Sequence, residues 1–324
     1  MSTVPVMGVS WTVAAVCLGL LLATVALVPA AYWLRDRRGR RRWQRAARVR
    51  PLLLRLAAEG DDEEELLAEL GRVGPRTWRA ARPQLVSLLY KTRGSAQAGL
   101  AEVMEQRGEM RRLLAATSGW SPLLRRRAAH LLGAAGWEPG RNRLTFLLRD
   151  ADPEVRAAAA LALGRIGDPR SARPLLKALA GHRPVGPDPV AAALVRLGPA
   201  AAPQLRAGLE SPQPRARSTS AAALGVLGGP RDVRELLSRL EREEEADVRV
   251  AILGALGRLG SPASAGAISA RLGDHDPAVR RAAAEALGEL GAGSTAEALR
   301  AALDDPDPAN ARAAADALLR LEGS

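Results

Sequence analysis

The side chains that most often do chemistry in proteins are few in this sequence and lie far apart. The three histidines are His130, His182 and His275, and no two of them have the spacing of a helical zinc site. Cys17 is the single cysteine, so neither an intrachain disulfide nor a cysteine-based metal site can form. The sequence has no nucleophile elbow, phosphate-binding glycine loop or redox pair. We therefore expect no catalytic residue, no metal site and no cofactor, and we predict that the chain is not an enzyme.

One charged residue type does recur at a fixed place in the sequence. Arginines stand eleven residues before a glycine in five segments, at Arg125, Arg156, Arg217, Arg249 and Arg280. One interpretation is a basic ladder that binds an acidic partner. The structural interpretation, which we favour, is that each arginine pairs with acidic groups at the adjacent turn, such as Asp152 or Asp276, and joins neighbouring repeats.

These arginines belong to an internal repeat that covers most of the chain. A glycine column sets its register at intervals of 28 to 34 residues: Gly74, Gly108, Gly136, Gly167, Gly198, Gly228, Gly260 and Gly291, with Glu322 in the last unit. Four positions before each column residue stands a large aliphatic residue: Leu70, Met104, Leu132, Leu163, Leu194, Leu224, Leu256, Leu287 and Leu318. Self-similarity at a fixed period indicates a repeat architecture.

Each repeat unit is predicted to form two helices. Around Gly167, Asp152 can cap the first helix, and the apolar residues of 155–166 recur at helical spacing. Gly167 suits the left-handed conformation that ends a helix, and Pro169 opens a second one. Gly164 lies in mid-helix, where a close approach of two helices would compensate its low helix propensity. Because two such helices cannot bury both apolar faces alone, the units must stack.

Two segments show the repeat most clearly, DPEVRAAAALALGRIGDPRSARPLLKAL from Asp152 and DPAVRRAAAEALGELGAGSTAEALRAAL from Asp276. This pattern resembles HEAT repeats of the short, phycobilisome-lyase type, over about residues 59–324. The resemblance implies an all-α fold, a right-handed α-solenoid of about nine HEAT-like helix pairs. The stretch PLLLRLAA at 51–58 looks like a lone second helix that caps the N-terminal end, and RGSAQ at 93–97 looks like a loop insertion.

The N-terminal region contains one long apolar segment. Residues 11–34 include no charged side chain, and a helix of that length would be about 36 Å long, enough to cross a hydrocarbon core of about 30 Å. Trp11 at one end and Tyr32 and Trp33 at the other match the aromatic belts of membrane interfaces. We predict a transmembrane helix at 11–34. The alternative is a cleaved signal peptide, but such peptides carry positive charge before the apolar region, and here the charge follows it.

The net charge of +12 is concentrated directly after this segment. Residues 35–55 contain ten arginines and one aspartate, whereas residues 56–324 carry a net charge of only +3. Arginine-rich flanks stay on the cytoplasmic side, so we expect the N-terminus outside and the repeats inside, at the inner or plasma membrane. The predicted contacts with anionic lipids are Arg37, Arg38, Arg40, Arg41, Arg42 and Arg45.

Candidate partner-binding residues lie on the second helices, whose outward positions differ between units. Those that form a basic middle region are Arg170, Arg173, Lys177, Arg231 and Arg234. We expect them on the concave face of the solenoid, where they would dock an acidic segment of a protein partner or of a membrane enzyme complex. Trp120 and Trp137, both in one unit, could anchor a partner, since tryptophan is favoured at binding hot spots; core burial is the equal alternative.

The predicted organisation is a short extracytoplasmic N-terminus (1–10), a transmembrane helix (11–34), a basic juxtamembrane segment (35–50) and a repeat solenoid (51–324). We predict a membrane-anchored interaction scaffold that recruits or organises a protein at the inner membrane face. Nucleic-acid binding is one alternative, disfavoured by the nearly neutral repeats and the lack of an aromatic stacking set. An enzyme related to the bilin lyases is the other alternative, and only the repeat itself suggests it.

Overall fold

The computed structural model describes residues 15–16, 18, 27, 32–33, 37, 39–40, 43–58 and 62–322. This part of the chain forms α-helices joined by short turns and contains no strand. The chain divides into two compact units, one up to Val103 and one from Met104. Most of the predicted transmembrane segment 11–34 lies outside the described residues, and among those that are described no helix is both long and apolar enough to cross a bilayer.

The first unit contains α1 (helical residues 43–57), α2 (Glu63–Arg72), α3 (Pro75–Leu89) and most of α4 (Gly94–Gln106). An apolar stripe on α1 is buried, formed by Ala46, Val49, Leu53 and Leu56. The helix predicted at 51–58 is therefore present and also includes residues 43–50.

The loop insertion predicted at residues 93–97 is wrong. Residues 94–97 form the first turn of α4, and Ala96 is buried within the first unit. Glycine and serine occur at helix N-termini as well as in loops, so the composition of this stretch did not separate the two structures.

The second compact unit is a stack of helix pairs, and each pair is one repeat unit. Its helices after α4 are α5 (Glu109–Ala116), α6 (Pro122–Ala134), α7 (Arg141–Leu147), α8 (Pro153–Ile166), α9 (Ala172–Lys177), α10 (Pro187–Arg196), α11 (Ala202–Leu209), α12 (Pro214–Leu227), α13 (Pro230–Arg242), α14 (Ala246–Leu259), α15 (Ala265–Ser269), α16 (Pro277–Leu290), α17 (Ala296–Ala301) and α18 (Pro308–Glu322). The even-numbered helices from α6 to α18 are the first helices of successive units, and each packs against the next. This is the stacked arrangement that the repeat predicts.

The unit around Gly167 shows how the sequence determines the pair. The Asp152 carboxylate caps α8 by accepting the backbone N–H groups of Glu154 and Val155 at 2.9 and 3.1 Å. Gly167 ends α8 with a φ of 78°, a left-handed conformation that side chains with a Cβ rarely adopt. Leu163 on α8 is fully buried, as the aliphatic column predicts.

The mid-helix glycines mark very close approaches between successive first helices. A Cβ atom added to Gly164 on α8 would lie 2.6 Å from the Cα atom of Ala193 on α10 and 2.8 Å from its carbonyl oxygen. The same kind of contact joins Gly133 to Ala162, Gly225 to Ala255, Gly257 to Ala286 and Gly288 to Ala317. The predicted compensation for a helix-breaking residue is thus confirmed at these positions.

Candidate functional site

The arginine column forms clamps between successive inter-repeat turns. Arg280 donates from Nε to Asp305 Oδ2 at 2.7 Å, and from Nη1 to the carbonyl oxygens of Asp274 and His275 at 2.9 and 3.3 Å. One guanidinium therefore holds the turn before its own helix and the turn that starts the next unit. Arg125 and Arg217 repeat both contacts, with ion pairs to Asp150 at 2.7 Å and to Glu243 at 2.8 Å. Arg249 repeats the ion pair alone, with Asp274 at 2.8 Å.

The clamp carboxylate and the helix cap are two different residues. Asp274 pairs with Arg249 and accepts the backbone N–H of Asp276 at 3.0 Å, while Asp276 caps α16 through the N–H of Ala278 at 2.8 Å. The structural interpretation is confirmed for four of the five arginines, which pair with an acidic residue of the adjacent turn: Arg125, Arg217, Arg249 and Arg280. Asp152 and Asp276 were the wrong partners, since the carboxylates at those turns that form the pairs are Asp150 and Asp274. The D-x-D pattern before the helix proline could have identified the right carboxylate. Its first acid pairs with the arginine beneath the turn, and its second caps the helix N-terminus.

The clamps are buried and remain ionised. Burial raises the pKa of Glu243, but hydrogen bonds from Arg217, the backbone N–H of Glu245 and Arg239 outweigh it, so the pKa falls to about 2. The same competition leaves the pKa of Asp150 below its usual value. The Arg217 and Glu243 side chains are only 9% and 1% exposed. These arginines are therefore not accessible to an acidic partner.

One clamp has no carboxylate. Arg156 on α8 donates to the carbonyl oxygens of Asp150 and Ala151 at 2.9 and 3.1 Å, and on the far side it meets only the Pro184 carbonyl oxygen, at 3.3 Å. The longer connection between α9 and α10 stands where the other four clamp arginines have an acidic turn.

Two grooves flank α9, one on each side. The α7–α9 groove has a volume of about 580 Å³ and runs between the second helices α7 and α9. The α9–α11 groove has a volume of about 720 Å³ and reaches the start of α12. Arg173 and Lys177, both exposed on α9, line both grooves and form the ridge between them.

The α7–α9 groove is strongly basic. Its lining includes Arg149, Arg173, Lys177 and Arg183 and no acidic residue, and none of these four exposed cations forms an ion pair with a described residue. Phe146, with 65% of its surface exposed, lines the same groove. This groove thus combines uncompensated positive charge with an accessible aromatic ring.

Comparison of the sequence with models of known protein families identifies the type of repeat. The profile of HEAT repeats matches residues 110–186 and 233–319, which together make up half of the chain. The chain belongs to the HEAT repeat family. The narrower resemblance of its HEAT repeats to the phycobilisome-lyase type stays a prediction, and the comparison with curated proteins gives no match.

The solved structures that are similar to this chain include the following three proteins. Human deoxyhypusine hydroxylase in complex with glycerol is 23% identical, with a TM-score of 0.35 over 81% of this chain and 98% of that one. The Escherichia coli protein YibA is 18% identical, with a TM-score of 0.42 over 82% and 98%. The complex of CpcE and CpcF of phycocyanin lyase from Nostoc sp. PCC7120 is 26% identical, with a TM-score of 0.31 over 72% and 89%. The family assignment rests on the sequence match.

The predicted basic residues of the HEAT repeats differ in their surroundings. Arg170 is exposed but forms ion pairs with Glu138 and Asp168, so much of its charge is compensated. Arg231 and Arg234 are exposed on α13 and line neither groove beside α9. Of the five predicted residues, Arg173 and Lys177 come together at a groove.

The two tryptophans of one HEAT unit have different environments. Trp137 is half-buried, and its indole N–H donates to Glu105 Oε2 at 3.0 Å, which indicates a structural role. Trp120 lies in the turn between α5 and α6 with 92% of its surface exposed.

Among the predicted lipid contacts, Arg37, Arg40 and Arg45 are described and exposed, and the Arg37 guanidinium lies 4.0 Å from the centre of the Trp33 ring. Arg38, Arg41 and Arg42 lie outside the described residues. A further groove in the first unit, of about 300 Å³, is lined by residues of α1 and α3 and by Lys91. No group of three or more histidine, cysteine or acidic side chains suited to a metal ion occurs in the part of the chain that the structure describes.

Proposed function

We propose that this protein is a non-catalytic, membrane-anchored cytoplasmic scaffold that binds an acidic segment of a partner protein along α9. The observation that carries this proposal is the set of four uncompensated cations around the α7–α9 groove. Like charges brought together on a rigid surface repel one another, and a carboxylate-bearing ligand removes that repulsion.

The surroundings of α9 favour a peptide over a small ligand. The two grooves share the ridge of Arg173 and Lys177, so an extended segment that crosses α9 contacts both. The α9–α11 groove has a mainly apolar wall that includes Leu176, Pro203 and Ala207. A partner segment with acidic residues over α9 and apolar residues on either side fits this arrangement.

The alternatives have weaker support. Nucleic-acid binding through stacking uses several aromatic side chains, and Phe146 is the single aromatic residue that lines either groove beside α9. A lyase-like activity has no catalytic group to support it in these grooves.

The anchor remains part of the proposal. It is supported by the uncharged segment 11–34 with arginines after it, and by the exposure of apolar residues in it such as Val16, Leu18 and Leu27. We expect the protein to stay in membranes after an alkaline wash, and a C-terminal reporter to be active only inside the cell. An externally active reporter, or a mature chain that starts near Ala31, would contradict the anchor.

The binding proposal is tested by reversing charges in matched pairs. The Arg173→Glu/Lys177→Glu variant of the full chain should bind a fluorescent peptide rich in aspartate and glutamate at least about tenfold more weakly, equivalent to about 1.4 kcal/mol. The control is Arg231→Glu/Arg234→Glu, which makes the same charge change on α13, and it should keep nearly full affinity. Helix content should be unchanged in both variants.

Three outcomes would count against this assignment. Equal losses in the two variants would mean that net charge alone drives binding, and an unchanged affinity in the α9 variant would move the site elsewhere. A single-stranded oligonucleotide that binds more tightly than the acidic peptide would favour the nucleic-acid alternative.

A further inference from the structure

Three large apolar side chains are exposed within five residues at one inter-repeat turn. Trp120, Leu123 and Leu124, here called the apolar tip, have 92%, 61% and 50% of their surfaces exposed. They occupy the turn between α5 and α6 and the first turn of α6. An apolar cluster that a folded chain leaves in water indicates a binding surface.

The repeat does not require a tryptophan in this turn. Arg125 uses the Trp120 carbonyl oxygen, at 3.1 Å, as Arg280 uses the His275 carbonyl oxygen, at 3.3 Å. The clamp therefore needs only the backbone at this position. The positions equivalent to Trp120, five residues before the clamp arginine, hold Ala151, Pro212, Glu244 and His275.

The exposed leucine at the start of α6 is also specific to this unit. Two residues before the clamp arginine, the other units place Glu154, Arg215, Asp247 and Ala278 where this one has Leu123, and all four are exposed. A charged residue at that position is well solvated, whereas a leucine gains from leaving water. The repeat therefore does not require an exposed leucine at this position.

Positive charge lies beside the apolar tip. Arg127, one helical turn after Leu123 and Leu124 on α6, is exposed and forms no ion pair with a described residue. Arg143 on α7 donates to the Thr117 hydroxyl at 2.7 Å and to the Ser118 hydroxyl at 2.8 Å, which places a second guanidinium at the turn between α5 and α6. Arg126 is compensated by Glu154 at 3.5 Å.

We propose that the apolar tip inserts into the headgroup region of an anionic membrane. Tryptophan prefers the membrane interface, leucine the hydrocarbon beyond it, and arginine the lipid phosphates. The tip lines none of the three grooves described above, and a tryptophan 92% exposed has no pocket of its own chain around it. A short apolar insertion with adjacent basic residues gives a reversible contact that adds to another membrane signal. This proposal does not depend on the acidic partner.

The test places an environment-sensitive fluorophore at the tip of the full chain. Leu123→Cys in a Cys17→Ser background is labelled with a nitrobenzoxadiazole dye, and Ala278→Cys, the equivalent exposed position before Arg280, is the matched control. With vesicles of phosphatidylcholine and phosphatidylglycerol, the dye at position 123 should shift its emission to the blue and be quenched by spin-labelled lipid. The dye at position 278 should do neither.

Two further measurements separate the contribution of the tryptophan from that of the anionic lipid: a Trp120→Ala substitution, and vesicles of phosphatidylcholine alone. Adding Trp120→Ala to the labelled Leu123→Cys chain should reduce the lipid quenching at least about twofold, with unchanged helix content. A dye at position 123 that stays in water overturns the proposal and leaves the tip to a protein partner. Equal quenching at positions 123 and 278, or an equal response in phosphatidylcholine alone, overturns the specific anionic contact.

Discussion

Replacing Arg217 with methionine should destabilise the repeats of α12 and α14 by about 3 kcal/mol. The substitution leaves the Glu243 carboxylate buried, with its side chain 1% exposed, after the two hydrogen bonds of 2.8 Å from Arg217 are lost. Breaking a buried ion pair by removing one partner costs about 3–5 kcal/mol. We expect the lower end because Arg239 keeps its 2.7 Å contact with Glu243.

Hydrogen exchange on the full chain in detergent measures this loss helix by helix. Arg215→Met is the matched control, since Arg215 is exposed on the same helix and forms no ion pair with a described residue; its effect should stay within about 0.5 kcal/mol. Full protection of α12 and α14 in the Arg217 variant would show that the clamp is not a source of stability.

The same clamp gives the stability a defined acid dependence. Because the folded-state pKa of Glu243 is about 2 and its ordinary value is 4.5, its stabilisation is complete above 4.5 and is lost as the pH falls from there towards 2. A Glu243→Gln variant binds no proton at this position, so its stability should vary less over that range. An identical acid profile in the two proteins would contradict the buried, ionised clamp.

Gly164→Ala should destabilise the contact between α8 and α10 by about 2 kcal/mol, although alanine is the better helix former by about 1 kcal/mol. The new methyl group would lie 2.6 Å from the Ala193 Cα atom and 2.8 Å from the Ala193 carbonyl oxygen, both parts of the backbone. Backbone atoms cannot rotate away as a flexible side chain can, so the two helices must separate.

The sign of the effect makes this a sharp test. Gly266→Ala is the control, since Gly266 lies on the helix α15 with open space where its Cβ would be, and this variant should be neutral or slightly more stable. Thermal unfolding and hydrogen exchange of α8 and α10 distinguish the two variants. A Gly164→Ala protein as stable as the parent would mean that the helices are not held at this distance.

The sequence predicted those features that depend on local chemistry repeated many times. The positions of Leu163, Gly167 and Gly164 follow from helix periodicity, helix termination and helix–helix contact, and each recurs in other units. The clamp was predicted as a structural pair, but its carboxylate was assigned to the wrong acid of the D-x-D pattern, because two acids two residues apart are equally close to the turn in sequence.

The grooves beside α9 could not be predicted in the same way. They depend on the spacing between second helices and on the connection at 178–186, which the repeat does not determine. Sequence reasoning found Arg173 and Lys177 but missed Arg149 and Arg183, because these two lie in the connecting segments that follow α7 and α9 and not on a helix stripe. The sequence also did not show that Arg170, unlike Arg173 and Lys177, is compensated by ion pairs, because its partner Glu138 is in another repeat.

The missing carboxylate opposite Arg156 has a mechanical consequence. Successive repeats of the second unit behave as elastic elements in series, so a bending load is shared according to how stiffly each is fastened to the next. The joint between α8 and α10 is fastened on one side by a single neutral oxygen at 3.3 Å, where the joints of Arg125, Arg217, Arg249 and Arg280 have an ion pair. The joint beside the ridge of α9 is therefore more compliant than those four, and tension along the chain would change the width of the adjacent α9–α11 groove.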